Sequence, residues 1–204
     1  MEFSIQVEAR AIEAMQQIAA KTDVRPYLNG VNLEVCVSES YLVASNGRRL
    51  AVFRVKQGHP GAGEGDRSIV IPNETLKGIK FGTGDARITV GAAEKGAYAR
   101  NCVLEYREAR VLFGSMDYRY PDWRRIVPPK ATGEVAQFTA EDIACFHKAG
   151  VILRGRKADP GVAIGHNGKG SALVCIGHPD FFGIVTPIRP ECVKVPASLP
   201  SWAA

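Results

Sequence analysis

No stretch of this sequence approaches the ~20 consecutive apolar residues that a membrane-spanning helix needs, although 46% of its 204 residues are hydrophobic. That share is ordinary for a globular chain able to bury a core. The five cysteines, Cys36, Cys102, Cys145, Cys175 and Cys192, are odd in number, widely spaced and without a C-x-x-C pair. A disulfide framework is therefore not expected, and a reducing, cytoplasmic compartment is. The opening Met1-Glu2-Phe3-Ser4-Ile5 alternates like a strand and has neither a basic n-region nor an apolar h-region, so no signal peptide is expected.

Catalytic patterns are missing too. Lys169 is followed by Gly170, so Asn167-Gly168-Lys169-Gly170-Ser171 fails the phosphate-loop pattern, which needs Ser or Thr after the lysine. Gly61, Gly63 and Gly65 have neither the spacing nor the strand-to-helix setting of a dinucleotide fingerprint. Cys145 and His147 are two apart on an expected helix, and His59, His166 and His178 stand in loop sequence, so no metal tetrad emerges. There is no G-x-S-x-G elbow, H-E-x-x-H pair or catalytic-cysteine context. No catalytic residue, metal or cofactor is assigned.

What is present is a repeat. Phe3 to Val7 alternates like a half-buried strand, and Ala11, Met15 and Ile18 recur at helical spacing to about Ala20. Strand-like stretches follow at Leu28 to Val37, Tyr41 to Ser45 and Arg49 to Val55, the last two joined at Asn46-Gly47, a pair suited to a type I′ turn. After a Gly-rich connector, 58–66, the order recurs. Ser68 to Ile71 is read as a strand, Thr75 to Lys80 as a short helix, and Arg87 to Val90, Ala97 to Leu104 and Arg110 to Gly114 as strands. Past Pro128-Pro129 a third cycle is expected: a strand at Val135 to Phe138, a helix capped by Thr139 with Asp142 at its third position, and strands at Gly161 to Gly165, Ala172 to Ile176 and Phe182 to Thr186. Ile143, Phe146 and Val151 are the expected buried stripe, and Asn167-Gly168 another hairpin turn. The period is about 65 residues. One β-α-β-β-β unit has too little apolar surface to close a core, so units must pair.

Three segments resemble the bacterial DNA polymerase III beta subunit, the sliding clamp. Arg25 to Gly30 (R-P-Y-L-N-G), followed by Ala44 to Ala51 (A-S-N-G-R-R-L-A), resembles that family's Y-L-N-G segment and its A-T-D-G-H/R-R-L-A hairpin. Ser68-Ile69-Val70-Ile71-Pro72 resembles its V-I-V-P strand. Asp117 to Pro128 resembles D-G-R/K-F-P-D-Y-R-R-V-I/L-P. The resemblance implies an α+β DNA clamp fold, repeated β-α-β-β-β half-domain modules with antiparallel sheets and helices on one face. The expected division is a domain over 1–130 (modules 1–57 and 67–130), a third module over 131–191 and a tail, 192–204. Residues 134–190 match either half of the family's third domain, and Gly183 to Arg189, similar to the clamp's V-V-M-P-M-R terminus, favours the last half.

The resemblance also implies a cleft for a short partner peptide, lined by Leu28, Ser45, Gly47, Arg48, Arg49, Leu50 and Pro128 on one side. On the other are Val162, Val185, Thr186, Pro187, Ile188 and Arg189. Leu28, Leu50 and Val185 would line an apolar pocket, with Arg49 and Arg189 at its rim. The alternative for the apolar three is plain core packing. Clamps track the phosphates of double-stranded DNA without reading sequence, and the net charge of +5 fits a polyanion. The DNA-facing candidates are Arg25, Tyr27, Lys77, Lys80, Lys148, Arg154, Arg156 and Lys157, with a solvated basic face as the alternative. After Ile71-Pro72 the family's basic pair is replaced by Asn73-Glu74.

Two functions are expected from this. One is a processivity or scaffold protein that forms a homo-oligomeric ring and holds a DNA polymerase or another protein with a clamp-binding peptide. The other is a clamp-fold module or decoy that binds such peptides without encircling DNA. A family ring has about twelve modules, so four copies of three would complete it. In the tail, Leu199 and Trp202 are candidates for docking in a neighbour's groove, against a disordered terminus.

Overall fold

The computed structural model describes residues 2–62, 68–92, 99–155 and 161–192. The first unit is β1 (Phe3–Glu8), α1 (Ala9–Ile18), β2 (Gly30–Val35), β3 (Ser40–Ser45) and β4 (Arg49–Val55). The second repeats it as β5 (Ser68–Pro72), α2 (Asn73–Leu76), β6 (Asp85–Val90), β7 (Asn101–Tyr106) and β8 (Ala109–Gly114). The third is α3 (Ala140–Arg154), β9 (Ala163–Gly165), β10 (Ala172–Cys175) and β11 (Phe181–Val185).

The first two units exchange their leading strands. β1 pairs with β6, giving a four-stranded sheet in the order β1-β6-β7-β8, while β5 pairs with β2. The third unit then adds to the first through β4 and β11, so the other sheet has seven strands, β5-β2-β3-β4-β11-β10-β9. All pairings are antiparallel.

One large core gathers the helix-facing side chains of both sheets with α1 and α3. Ile5, Ile12, Met15, Ile18, Leu33, Leu42, Ile88 and Phe146 have essentially no exposure there. The small side chains Ala9, Ala11 and Ala14 let α1 lie close to its neighbours, and α3 packs along it. A second cluster lies on the opposite face of the seven-stranded sheet: Val43, Leu50, Val52, Val70, Tyr120 and Ile184, with Tyr27, Tyr41, Met116, Trp123, Val127 and Phe182 against them. Both faces of β3 and β4 are thus covered, which explains their near-continuous apolar sequence.

Several expectations are corrected. The helix expected over Thr75 to Lys80 is the single turn α2, because Lys77 leaves the helical region and Gly78 follows at φ +86°. Lys77 and Lys80 are therefore not on a helix. The hairpin after β3 has a positive φ at Gly47 but not at Asn46, which excludes type I′. Asn46 instead folds its side chain over the turn and accepts from the amides of Arg48 and Arg49 at 2.9 and 2.8 Å. Asn167-Gly168 lies in a six-residue connection and is not a tight hairpin.

Val135 to Phe138 forms no strand, since no neighbouring strand offers it a ladder. Its Gln137 carbonyl accepts from Ile188 N at 2.7 Å, and Ala136 N donates to His166 Nδ1. The buried stripe of α3 is Asp142, Phe146, Ala149, Gly150 and Leu153, with Ile143 and Val151 only half-buried. Part of the connector belongs to the body: His59 N donates to Cys36 O, and Ala62 is buried in the main core. The rest of it, 63–66, and the start of the strand expected at Ala97 lie outside the described residues.

Candidate partner groove and helix face

The seam between β4 and β11 brings most of the expected groove residues together. Leu50 pairs with Ile184 and Arg49 with Val185, and beyond the last pair Thr186 N donates to Arg48 O at 2.8 Å. Side chains alternate across a strand, so Leu50 and Ile184 enter the outer cluster while Arg49 and Val185 point toward the helices. Ile188 is tied to Gln137, which holds Thr186, Pro187, Ile188 and Arg189 as an extended wall beside the seam. Thr186 and Arg189 are exposed, and Pro128, Pro187 and Ile188 are half-buried.

Gly47 lies at the end of this surface with its hairpin. A Cβ there would come within 2.4 Å of the Arg25 guanidinium, so glycine lets Arg25 lie flat on the turn. Arg25 is itself clasped by Asp23 at 2.9 Å, and that hydrogen bond lowers the Asp23 carboxyl to about 2. Arg25, expected to face DNA, is thus a neighbour of the groove hairpin. Tyr27, also expected to face DNA, packs its ring against Tyr120 and Tyr118, at centroid distances of 6.1 and 6.5 Å.

Three expected lining residues, Arg49, Val185 and Val162, do not line this surface. Arg49 is 6% exposed; its Nε donates to Ile18 O at 3.1 Å and its Nη1 to Asp142 Oδ1 at 2.7 Å. It joins β4 to the end of α1 and the start of α3 and is not a rim residue. Val185 is fully buried in the helix-side core. Val162 is two strands from the seam and packs into that same core. Leu28 and Ser45 are buried near the hairpin, where the Ser45 hydroxyl donates to Arg49 O and accepts from Gly47 N.

Residues outside the expected groove lining build the floor and flank. Glu34 accepts from Trp123 Nε1 and from Arg124 Nη1, both at 2.8 Å. Arg124 stacks on the Trp123 ring at 4.3 Å, and Trp123 lies against Tyr41 and Phe182. This clamp of one carboxylate on two neighbours fixes the turn 123–126 and delivers Val127 and Pro128 to the outer face. Tyr41 is pushed up to about 12, first by burial and then by its hydrogen bond with Glu39. Tyr120 is buried in the cluster with no hydroxyl partner among the described residues, and burial raises its pKa.

On the other side, a cavity of about 700 Å³ opens between α1, α3 and α2. Gln16, Gln17, Lys21, Lys77 and Lys148 share its lining with Asp23, Glu74 and Glu141. Of the six DNA-facing candidates among the described residues, only Lys77 and Lys148 meet there. Lys77 has Glu74 3.6 Å away, Lys80 is exposed in the loop after α2, and Arg154 donates to Gly177 O at 2.6 Å. Arg156 and Lys157 lie outside the described residues, as does the tail with Leu199 and Trp202.

The family model described as "DNA polymerase III beta subunit, central domain" matches residues 3–122, the whole of the first two units. The chain belongs to the DNA polymerase III beta subunit family. The beta sliding clamp of Escherichia coli K12 is 30% identical over 123 residues, 58% of this chain and 31% of that protein. The Vibrio cholerae beta sliding clamp is 28% identical over 157 residues, 74% of this chain and 40% of that protein. The chain thus spans about a third to two fifths of the length of these curated relatives.

Solved beta subunits carry the fold further along the chain. The Borrelia burgdorferi subunit, solved in complex with a natural product, superposes with a TM-score of 0.63 at 14% identity, over 92% of this chain and 63% of that one. The Pseudomonas aeruginosa subunit gives 0.61 at 17% identity over 93% and 66%. The clamp fold therefore includes the third unit, which lies beyond the family-model match. Among the described residues no group of three His, Cys, Asp or Glu side chains could hold a metal ion, and no helix is long and apolar enough to cross a membrane.

Proposed function

We propose that this chain is a sliding-clamp-like scaffold that binds a short partner peptide on the outer face of the β4–β11 seam and presents its helices to double-stranded DNA. The observation that carries this is the seam. It joins the third unit to the first in one sheet, with an apolar cluster on one side and a helix pair on the other. The lining proposed is Val127 and Pro128 with the wall 186–189, over a floor that includes the buried Leu50 and Ile184 and rimmed by Arg25, Arg48 and Arg189. Anchors of a bound peptide would fill the apolar part while its backbone pairs with polar groups of the wall. The domain grouping proposed is 1–130 with 131–191 as half of a further domain, acting with a polymerase or another protein carrying a clamp-binding peptide in the cytoplasm. No catalysis is assigned.

A second reading keeps the peptide site without encircled DNA. It is favoured by Asn73-Glu74 at the start of α2 and by the mixed charge around the helix-side cavity. One titration series separates the two. A clamp-binding peptide is expected to bind wild type, and Leu50→Ala with Ile184→Ala is expected to weaken it by about tenfold or more. Duplex DNA at low salt is expected to bind with a shallow salt slope, about −2, because among the described residues only Lys77 and Lys148 of the expected contacts share the helix face. Peptide binding without DNA binding selects the second reading. Failure of both removes the scaffold.

A further inference from the structure

His59, His166 and His178 each accept a main-chain amide at Nδ1. For His59 and His178 the donor is Gly61 N or Asp180 N, two residues on, so the bond shapes only the loop that carries it. His166 differs. Its donor is Ala136 N at 3.1 Å, 30 residues away in the chain.

Ala136 belongs to a strap, residues 133–138, that runs from the loop after β9 to the wall of the groove. At its start Gly133 N donates to His166 O at 3.0 Å, and Gly168 N donates to Glu134 O at 2.8 Å. At its end Gln137 O accepts from Ile188 N at 2.7 Å, and the Phe138 ring packs on the His166 ring with centroids 5.6 Å apart. The wall depends on that bond to Gln137. Thr186 N is used on Arg48 O at the seam, and Pro187 has no N–H to give, so the next main-chain donor of the wall is Ile188 N.

The geometry points to His166 as a positioning residue of the peptide groove: its neutral imidazole holds Ala136, and the adjoining Gln137 carbonyl thereby holds Ile188 and the wall. This rests on the groove reading proposed above. To accept at Nδ1 the ring must be uncharged, with its proton on Nε2. An imidazolium has donors at both nitrogens and would set one N–H against another at Ala136. The wall is therefore fastened by the neutral ring and slackened by the charged one. The charged groups on the joined segments are Glu134 on the strap, Lys169 on the loop and Arg189 on the wall, while β9 and β10 add only the exposed Cys175 thiol.

The test titrates the full chain with a labelled synthetic peptide carrying leucine and phenylalanine anchors, read by fluorescence anisotropy. A hydrogen bond of this kind corresponds to about threefold to tenfold in affinity, and His166→Ala is expected to weaken the peptide by that factor at about pH 7.5. His166→Asn puts Oδ1 in the place of Nδ1, an acceptor at every pH, but gives up the contact with Phe138. It is expected to bind within about twofold of wild type. Between about pH 7.5 and 5.5, where imidazoles gain a proton, wild type is expected to lose about threefold or more while His166→Asn stays level. Glu134, Lys169 and Arg189 are present in both chains, so a pH effect of theirs would appear in both. Hydrogen exchange at one fixed pH is expected to be faster at Ala136 and Ile188 in His166→Ala than in wild type or His166→Asn.

An asparagine variant as weak as the alanine one, or a pH response that persists in it, overturns the assignment. Should His166→Ala not fold, the comparison of wild type with His166→Asn decides alone. A peptide that fails to bind wild type, while Ala136 and Ile188 still loosen in His166→Ala, would sink the groove reading and leave this fastening standing. Unaltered exchange with peptide binding intact would do the reverse.

Discussion

Arg49→Met is the most informative single substitution, because the resemblance places Arg49 at a ligand rim and the structure places it in a buried ion pair. Methionine keeps an unbranched stem and removes the planar fork. Asp142, 1% exposed, would then be left with the Thr139 hydroxyl and with Arg48 at 3.2 Å, itself half-exposed. Breaking one side of a buried pair costs about 3–5 kcal/mol. Arg48 keeps part of the pairing, so the expected loss is about 3 kcal/mol, a large share of a total of about 5–15 kcal/mol.

Urea unfolding measures that loss directly, and a cycle with Asp142→Asn should show the double variant losing less than the sum of the singles. Burial raises the Asp142 carboxyl, but Thr139, Arg49 and Arg48 outweigh it, and the net shift is downward. The stabilisation from a carboxylate lowered in the folded state is complete above its unfolded value and is lost as pH falls through the folded one. Arg49→Met should therefore flatten the acid-side fall in stability. Peptide affinity of the folded variant should stay within about threefold of wild type. A loss below about 1 kcal/mol, an unchanged acid-side slope, or a collapse of peptide affinity in a fully folded variant would refute the buried role.

Gly183 in β11 lies directly under Phe146 of α3: an added Cβ would sit 2.3 Å from Cε1 of a ring with no exposure. Gly183→Ala is expected to cost about 1–3 kcal/mol in urea unfolding, and Phe146→Leu in the same chain should recover part of it. Glu34→Gln loses the charge-assisted contact to Arg124 at a half-exposed site, so its stability cost is expected at about 1 kcal/mol or less. Its readout is a red shift of Trp123 emission in a Trp202→Phe background, with weaker peptide binding as Pro128 loosens. Loss of Asp180 should act modestly: burial raises its carboxyl, but Lys56 at 2.9 Å and Arg54 at 2.6 Å outweigh this. Asp180→Asn should lower stability most above pH 4 or so, where the aspartate is charged, and least below it.

Local signals carried much of the fold. Phe3 to Val7 alternates and becomes β1; Arg49 to Val55 is β4 to the residue; Thr139 caps α3 with its hydroxyl accepting from Asp142 N at 3.1 Å. What local reading could not reach is long-range. Asp142 meets Arg49 across 93 residues and Glu34 meets Arg124 across 90, distances at which no periodicity speaks. The direction of Arg49 was hidden because β4 is apolar on both faces, and a strand without alternation does not say which side is which. α2 failed for a local reason that was visible, Gly78, whose positive φ ends the turn. Ile184 and Phe182 were legible only as strand residues; their place opposite Leu50 and Val52 depends on a register fixed by the β4–β11 seam.

The swap of leading strands between the first two units makes them inseparable in a topological sense. Each half lends the other an edge it cannot supply itself, so neither is a self-sufficient domain, and selection cannot discard one without unravelling its twin. The third unit lends nothing in return: it docks by one flank and keeps its own strands. The building block is therefore the interlocked pair, with the single unit as an attachment along one sheet edge.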